Sequence, residues 1–181
     1  MHNSDEFIRD LKLKKDYAVK NVLNMYNKKL YFTAYRFVNN RESAEDVVQE
    51  VWLKFFKNIK SFRSESSLYT YLYRITVNES LRWLKKNKDT YSINDNIKYE
   101  TASGKDDVFE SLAEKEEKNA VVNAVTKLPE KQKSVVILRM ENRLKYSEIA
   151  EILNISVNNA KALYSYAVKN IKKYLEEDNL L

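Results

Sequence analysis

The stretch Ser43-Ala44-Glu45-Asp46-Val47-Val48-Gln49-Glu50-Val51-Trp52-Leu53-Lys54-Phe55-Phe56 decides the fold class. Ala44, Val47, Val48, Val51, Trp52 and Phe55 fall at i, i+3, i+4, i+7, i+8 and i+11, the spacing of one apolar helix face. Ser43 is placed to cap the start of that helix. The other face carries Glu45, Asp46, Gln49, Glu50, Leu53 and Lys54. An acidic and polar face with one outward leucine suits either plain solvation or the docking of a basic protein partner. Upstream, Tyr17 to Phe37 repeats the helical period, and Val22, Leu23, Tyr26, Leu30 and Ala34 are expected to pack against the stripe.

Downstream, Ser61-Phe62-Arg63-Ser64-Glu65-Ser66-Ser67 is a short polar loop that leads into a helix from Leu68. Leu68, Leu72 and Ile75 form its core line. Tyr69, Tyr71, Tyr73, Arg74, Asn78, Arg82, Trp83, Lys85 and Lys86 then make a surface of aromatic rings interleaved with cations. This is the chemistry that single-stranded DNA requires, since cations neutralise phosphate and rings stack on unpaired bases. The alternative is that the tyrosines fill the core with their hydroxyls at the surface.

Composition excludes much else. The 181 residues include one glycine, one proline, no cysteine and one histidine, His2. Tight hairpins and phosphate-cradling loops need several glycines, so an all-β protein, a Walker-type NTPase and a dinucleotide-binding enzyme are excluded. Without cysteine, and with one histidine, there is no disulfide framework and no histidine-based catalytic or metal constellation. No signal stretch or membrane-length apolar run is present, so a soluble, cytoplasmic chain without membrane insertion is expected.

The net charge of +6 is unevenly spread. Residues 1–88 hold 18 basic and 10 acidic side chains, residues 89–117 hold 3 and 9, and residues 118–181 hold 11 and 7. Apolar periodicity lapses in the acidic middle, where turn formers cluster. The expected architecture is all-α, with small helical domains at 1–88 and 118–181 joined by an acidic linker at 89–117. The two basic blocks point to a polyanion, most often nucleic acid.

In the second block, Leu128-Pro129-Glu130 starts a helix, with proline at its first position. Tyr146 to Lys161 has the pattern of helix, short turn, helix: Ile149, Ala150, Leu153 and Ile155 are apolar, Asn154 is the turn, and Ser156 caps the second helix. That helix runs from about Val157 to Tyr174, with Ala160, Leu163, Tyr164, Ala167, Val168 and Ile171 inward. Asn158, Asn159 and Lys161 are candidates for base edges or phosphate in a major groove, and Lys169, Lys172 and Lys173 for phosphate. Helical hairpins in proteins that do not bind DNA share this pattern, so a plain repressor and a helical adaptor stay open at this point.

The order Ser43 to Phe56, then Ser61-Phe62-Arg63, then Ser67 to Asn78 resembles region two of bacterial extracytoplasmic-function (ECF) sigma factors, over roughly Tyr17 to Lys88. Leu128-Pro129-Glu130, Leu138-Arg139 and Glu148 to Ser156 are similar to region four of the same family. The resemblance implies an alternative sigma factor, with no catalytic residue, no metal and no cofactor. It implies that Asp46, Gln49, Glu50 and Leu53 dock on the clamp coiled coil of the RNA polymerase largest subunit. It implies that Lys54, Phe62, Arg63, Ser64, Ser66, Ser67, Tyr71, Asn78, Arg82, Lys85 and Lys86 serve the minus-ten element, with a flipped base cradled by the loop. Ser156, Asn158, Asn159, Lys161, Ser165 and Lys169 would serve the minus-thirty-five element, beside the flap of the second-largest subunit. An anti-sigma factor is the implied inhibitor. Tyr71 stands where the family usually has tryptophan. Asn159, Ala160 and Ala162 depart from the usual threonine, valine and serine, and Leu163 and Tyr166 from common arginines, which predicts an altered upstream preference. The acidic linker either solubilises or mimics RNA in the polymerase cleft.

Overall fold

The structure, a computed structural model, describes residues 5–63, 66–87, 112–140 and 142–177. Regular structure among them is helical throughout: α1 (Asp5–Lys12), α2 (Asp16–Val38), α3 (Arg41–Asn58), a 3-10 turn (Ile59–Ser61), α4 (Leu68–Lys86), α5 (Leu112–Thr126), α6 (Glu130–Met140), α7 (Tyr146–Leu153) and α8 (Val157–Glu177). The chain forms two compact units, the first built on α1–α4, the second on α5, α6, most of α7 and α8. Ser64 and residues 88–111, with Gly104, Asp106 and Asp107, lie outside the described residues. Helix α5 begins inside the stretch assigned to the linker.

In the first unit α2, α3 and α4 pack on one another, and α1 lies against α2 and the 3-10 turn. The periodic stripe of α3 is buried as its spacing requires, with Ala44, Val51 and Phe55 fully so. Val22, Leu30, Ala34 and Phe37 of α2 and Leu68, Leu72 and Val77 of α4 are buried as well, on helices that pack against α3. Each large apolar side chain so buried contributes about 1.5–3 kcal/mol. Trp52 adds a polar link, its indole N–H donating to Asn27 Oδ1 at 2.8 Å.

Two expectations for this unit need correction. Ser43 is not the cap of α3. Asn39 closes α2 in the left-handed region at φ 53°, and Asn40, extended, accepts from the Ser43 amide at 2.9 Å. Asn tolerates left-handed φ and caps well, so the Asn39-Asn40 pair makes the whole corner and Ser43 is drawn into the first turn. Tyr73 is not on the DNA-facing surface. It is 1% exposed, with its ring 4.3 Å from Tyr69.

In the second unit Leu128, Val136 and Ala167 form a core cluster closed by Val125, Tyr164, Ile171 and Tyr174. Pro129 immediately precedes α6 rather than starting it, and its carbonyl accepts from the Lys133 amide at 2.9 Å. Asn154 takes φ 53° in the α7–α8 turn, as expected of the residue replacing glycine there. Ser156 caps α8, its hydroxyl accepting from the Asn159 amide at 3.1 Å. Val168 was expected inward but is 47% exposed. Tyr164, Ala167, Ile171 and Tyr174 already complete a stripe at alternating spacings of three and four, and Val168 lies one step round the helix from it.

Burial pushes the Lys133 ammonium on α6 down to about 8 from 10.5. The unfolded chain keeps that proton up to about 10.4, so between the two values it binds more protons than the folded chain. Stability therefore rises as pH climbs through this window, and the full cost of the buried charge is present below it. Lys133→Met is expected to stabilise the second unit at neutral pH by on the order of 2 kcal/mol. It should also flatten the rise above pH ~8. Hydrogen exchange in α6 across that range is the measurement. Burial raises the phenols of Tyr26 and Tyr73 above their ordinary value of 10.

Candidate protein and nucleic-acid interfaces

Three surfaces emerge from these elements. The first is a groove of about 620 Å³ between α3 and α4. Asp46, Gln49, Glu50 and Leu53 line its α3 side; Glu79, Arg82, Trp83 and Lys86 line its α4 side. The four α3 residues are exposed because the opposite face of the same helix is committed to the core. Leu53 is 65% exposed, an apolar side chain between acids on a rigid helix. The arrangement offers an apolar anchor with carboxylates around it, which suits a partner carrying basic and apolar side chains.

The second surface is the loop before α4 and the exposed side of that helix. Ser67 caps α4, its Oγ accepting from the Thr70 amide at 3.0 Å, so its hydroxyl sets the loop exit. Phe62 is 7% exposed and its ring lies 5.0 Å from that of Tyr71, so Phe62 supports the loop from beneath. Arg63 is exposed and Ser66 half-buried. Tyr71 is also half-buried, and burial raises its phenol above 10 against the opposing pull of Arg74. It is therefore a neutral hydrogen-bonding ring at any physiological pH. Asn78, Arg82 and Lys85 follow Tyr71 at i+7, i+11 and i+14 on the same stripe of α4, and all three are exposed. Lys54 differs from the expectation: its ammonium is ion-paired with Glu79.

The third surface is the start of α8. Ser156, Asn158, Asn159, Lys161, Ser165 and Lys169 are all exposed. Asn158, Lys161, Ser165 and Lys169 fall at i, i+3, i+7 and i+11, one face of the helix. Tyr166, 57% exposed, stands beside that face. The helix is oriented by contacts that start in α6. Arg139 Nη1 donates to the Leu144 carbonyl at 2.7 Å, and its guanidinium lies 4.9 Å from the centre of the Tyr146 ring. That ring meets Tyr164 of α8 edge-on at 5.9 Å.

Comparison with known proteins finds relatives for both units. Residues 22–90 match the sigma-70 region 2 family, and residues 118–171 match sigma-70 region 4. The ECF RNA polymerase sigma-E factor of Haemophilus influenzae is 31% identical over 150 residues, covering 78% of each chain. The chain belongs to the ECF sigma factors of the sigma-70 family. SigW of Bacillus subtilis is 28% identical over 168 residues, 88% of this sigma factor and 90% of that one. The fold is shared with CnrH, solved with the cytosolic domain of CnrY, at TM-score 0.71 and 17% identity over 95% of this chain and 96% of that one. It is shared also with the sigma factor RpoE of Bartonella quintana, solved with the anti-sigma factor NepR, at TM-score 0.65 and 22% identity, covering 87% and 96%. As a member of this family the sigma factor is regulatory and not an enzyme. Among the described residues no helix is long and apolar enough to cross a membrane.

Sequence reasoning missed Glu79 and Trp83 as groove residues and Arg139 as a positioning residue. Glu79, Arg82, Trp83 and Lys86 are spaced i, i+3, i+4 and i+7, so one helical face was legible, but not what it faced. In this sigma factor Arg139→Ala is expected to destabilise the second unit by about 2 kcal/mol, by removing a charged hydrogen bond and a ring contact. Arg139→Lys should restore less than half, because an ammonium lacks the planar fork. Urea unfolding of the three proteins measures both.

Proposed function

We propose that this sigma factor engages core RNA polymerase through Asp46, Gln49, Glu50 and Leu53 of α3, and the clamp coiled coil of the largest subunit is the partner. The loop Phe62–Ser67, with Tyr71, Asn78, Arg82 and Lys85 along one stripe of α4, holds the opened minus-ten strand. Ser156, Asn158, Asn159, Lys161, Ser165 and Lys169 at the start of α8 meet the minus-thirty-five element, with the flap of the second-largest subunit nearby. The groove carries this reading: an exposed acidic and apolar helix face stands across from Arg82 and Lys86, so one small bundle offers protein docking and DNA binding on adjoining surfaces.

The upstream preference is altered. Ala162 has no hydrogen-bonding group where serine would have one, and Tyr166 has a single hydroxyl where arginine would have a five-donor fork, so direct readout falls mainly on Asn158, Asn159 and Lys161. An anti-sigma factor restrains the free protein, as NepR is found bound to the RpoE relative. The protein acts in the cytoplasm, as part of a two-domain, linker-joined chain. The test is reconstitution with core polymerase followed by run-off transcription from random genomic fragments. Specific start sites sharing spaced upstream and minus-ten motifs are expected. Duplex binding without core, and no transcription, would replace this reading with that of an ordinary repressor.

A further inference from the structure

Lys54 is a candidate minus-ten contact whose charge is already engaged by a carboxylate of a neighbouring helix in its own unit. Its partner Glu79 reaches it from α4, across the α3–α4 packing. Both groups sit low: the Lys54 side chain is 31% exposed and that of Glu79 14%. Glu79 follows Asn78, which faces the proposed DNA stripe, and it also lines the groove with Arg82 and Lys86. One carboxylate is thus set among three cations, and it is paired with the one on α3.

We propose that Glu79 is a specificity-determining residue, a carboxylate that holds Lys54 until a correctly seated minus-ten phosphate displaces it. The inference rests on the reading of Lys54 as a minus-ten contact. A carboxylate and a phosphate are rival acceptors for the same ammonium. Non-specific affinity for nucleic acid comes from cations free to neutralise phosphate, and each one withheld lowers it. Lys54 keeps part of its surface in water, and Arg82 and Lys86 share the groove with Glu79, so a phosphate held in place by other contacts can take the ammonium while cations remain near the carboxylate. Loosely bound DNA lacks those contacts and leaves the pair closed. The effect is discrimination: Glu79 weakens binding to wrong sequence more than binding to right sequence.

The experiment compares wild type, Glu79→Gln, Lys54→Ala and the double variant. Each full-length protein is assembled with saturating core polymerase. Binding of short random-sequence single-stranded DNA is measured over a series of salt concentrations. Glu79→Gln keeps the shape of the side chain and removes its charge. It is expected to tighten binding roughly threefold at low salt and to steepen the salt dependence by about 0.7, one single-strand phosphate contact. In the Lys54→Ala background the same change should do nothing. If Lys54→Ala weakens binding but Glu79→Gln leaves it unchanged or weaker, the inference is overturned and the role of Lys54 stands. An equal gain from Glu79→Gln with and without Lys54 also overturns it, because Glu79 then repels DNA directly. If Lys54→Ala also leaves binding of a single strand carrying the selected minus-ten motif unchanged, the underlying reading of Lys54 fails first. Glu79→Ala, which removes the whole carboxylate arm, answers the same question should Glu79→Gln fold poorly.

Discussion

Asp46→Arg combined with Gln49→Ala is expected to weaken binding to core RNA polymerase by about 100-fold, with the fold intact. Both positions are exposed on α3 and point away from the packed stripe of Ala44, Val47, Val48 and Val51. Surface changes of that kind usually alter stability by less than about 0.5 kcal/mol, and arginine is a better helix former than aspartate. A reversed charge against a basic partner, in contrast, costs about 2–5 kcal/mol. The new arginine also enters a groove that already holds Arg82 and Lys86, which adds repulsion. A native-gel or fluorescence titration with core polymerase gives the affinity, and circular dichroism gives the fold. Lys161→Ala, on the other unit, is the control and should bind core as wild type does. Wild-type affinity in the double variant would move docking off α3.

The fold was legible where a helical period was long and the residue types unambiguous. The stripe from Ala44 to Phe55 located α3, and Asn154 with Ser156 located the turn and cap before α8. Errors arose where one residue type fits two environments. Serine and asparagine both cap helices, and the Asn39-Asn40 corner displaced Ser43 because asparagine also accepts left-handed φ. The pairing of Lys54 with Glu79 joins residues 25 positions apart on different helices, and no local pattern announces it. Arg139 was equally hidden, because its carbonyl acceptor and its ring lie beyond a loop. The tyrosines were a different matter. Tyr69, Tyr71 and Tyr73 alternate, and on a helix two residues apart means nearly opposite faces. Tyr69 and Tyr73 had to share a side, with Tyr71 on the other.

That geometry separates two neighbours by their expected effects. Tyr73→Ala should cost about 3–5 kcal/mol, enough to leave the first unit largely unfolded at physiological temperature. The ring is 1% exposed, between α2 and the rest of α4, and burial raises its phenol above 10 despite hydrogen bonding to Tyr69 and Thr33. Tyr73→Phe keeps the ring and loses only that hydroxyl, so about 1 kcal/mol is expected. The sign of the phenol shift adds a second signature. Ionising a buried phenol is disfavoured in the folded chain, so stability falls as pH rises past 10, and Tyr73→Phe should lessen that fall. Tyr71→Ala removes a half-buried ring from the stripe with Asn78 and Arg82. It should lower stability by about 1 kcal/mol, since only part of a ring is uncovered. Its main effect should be on single-stranded DNA binding by the holoenzyme, weakened about tenfold through the loss of one stacked base. Urea unfolding and DNA titration on the same three variants decide the matter. A Tyr73→Ala protein with wild-type stability and poor DNA binding would put Tyr73 back on the interface and leave the α4 core without its largest member.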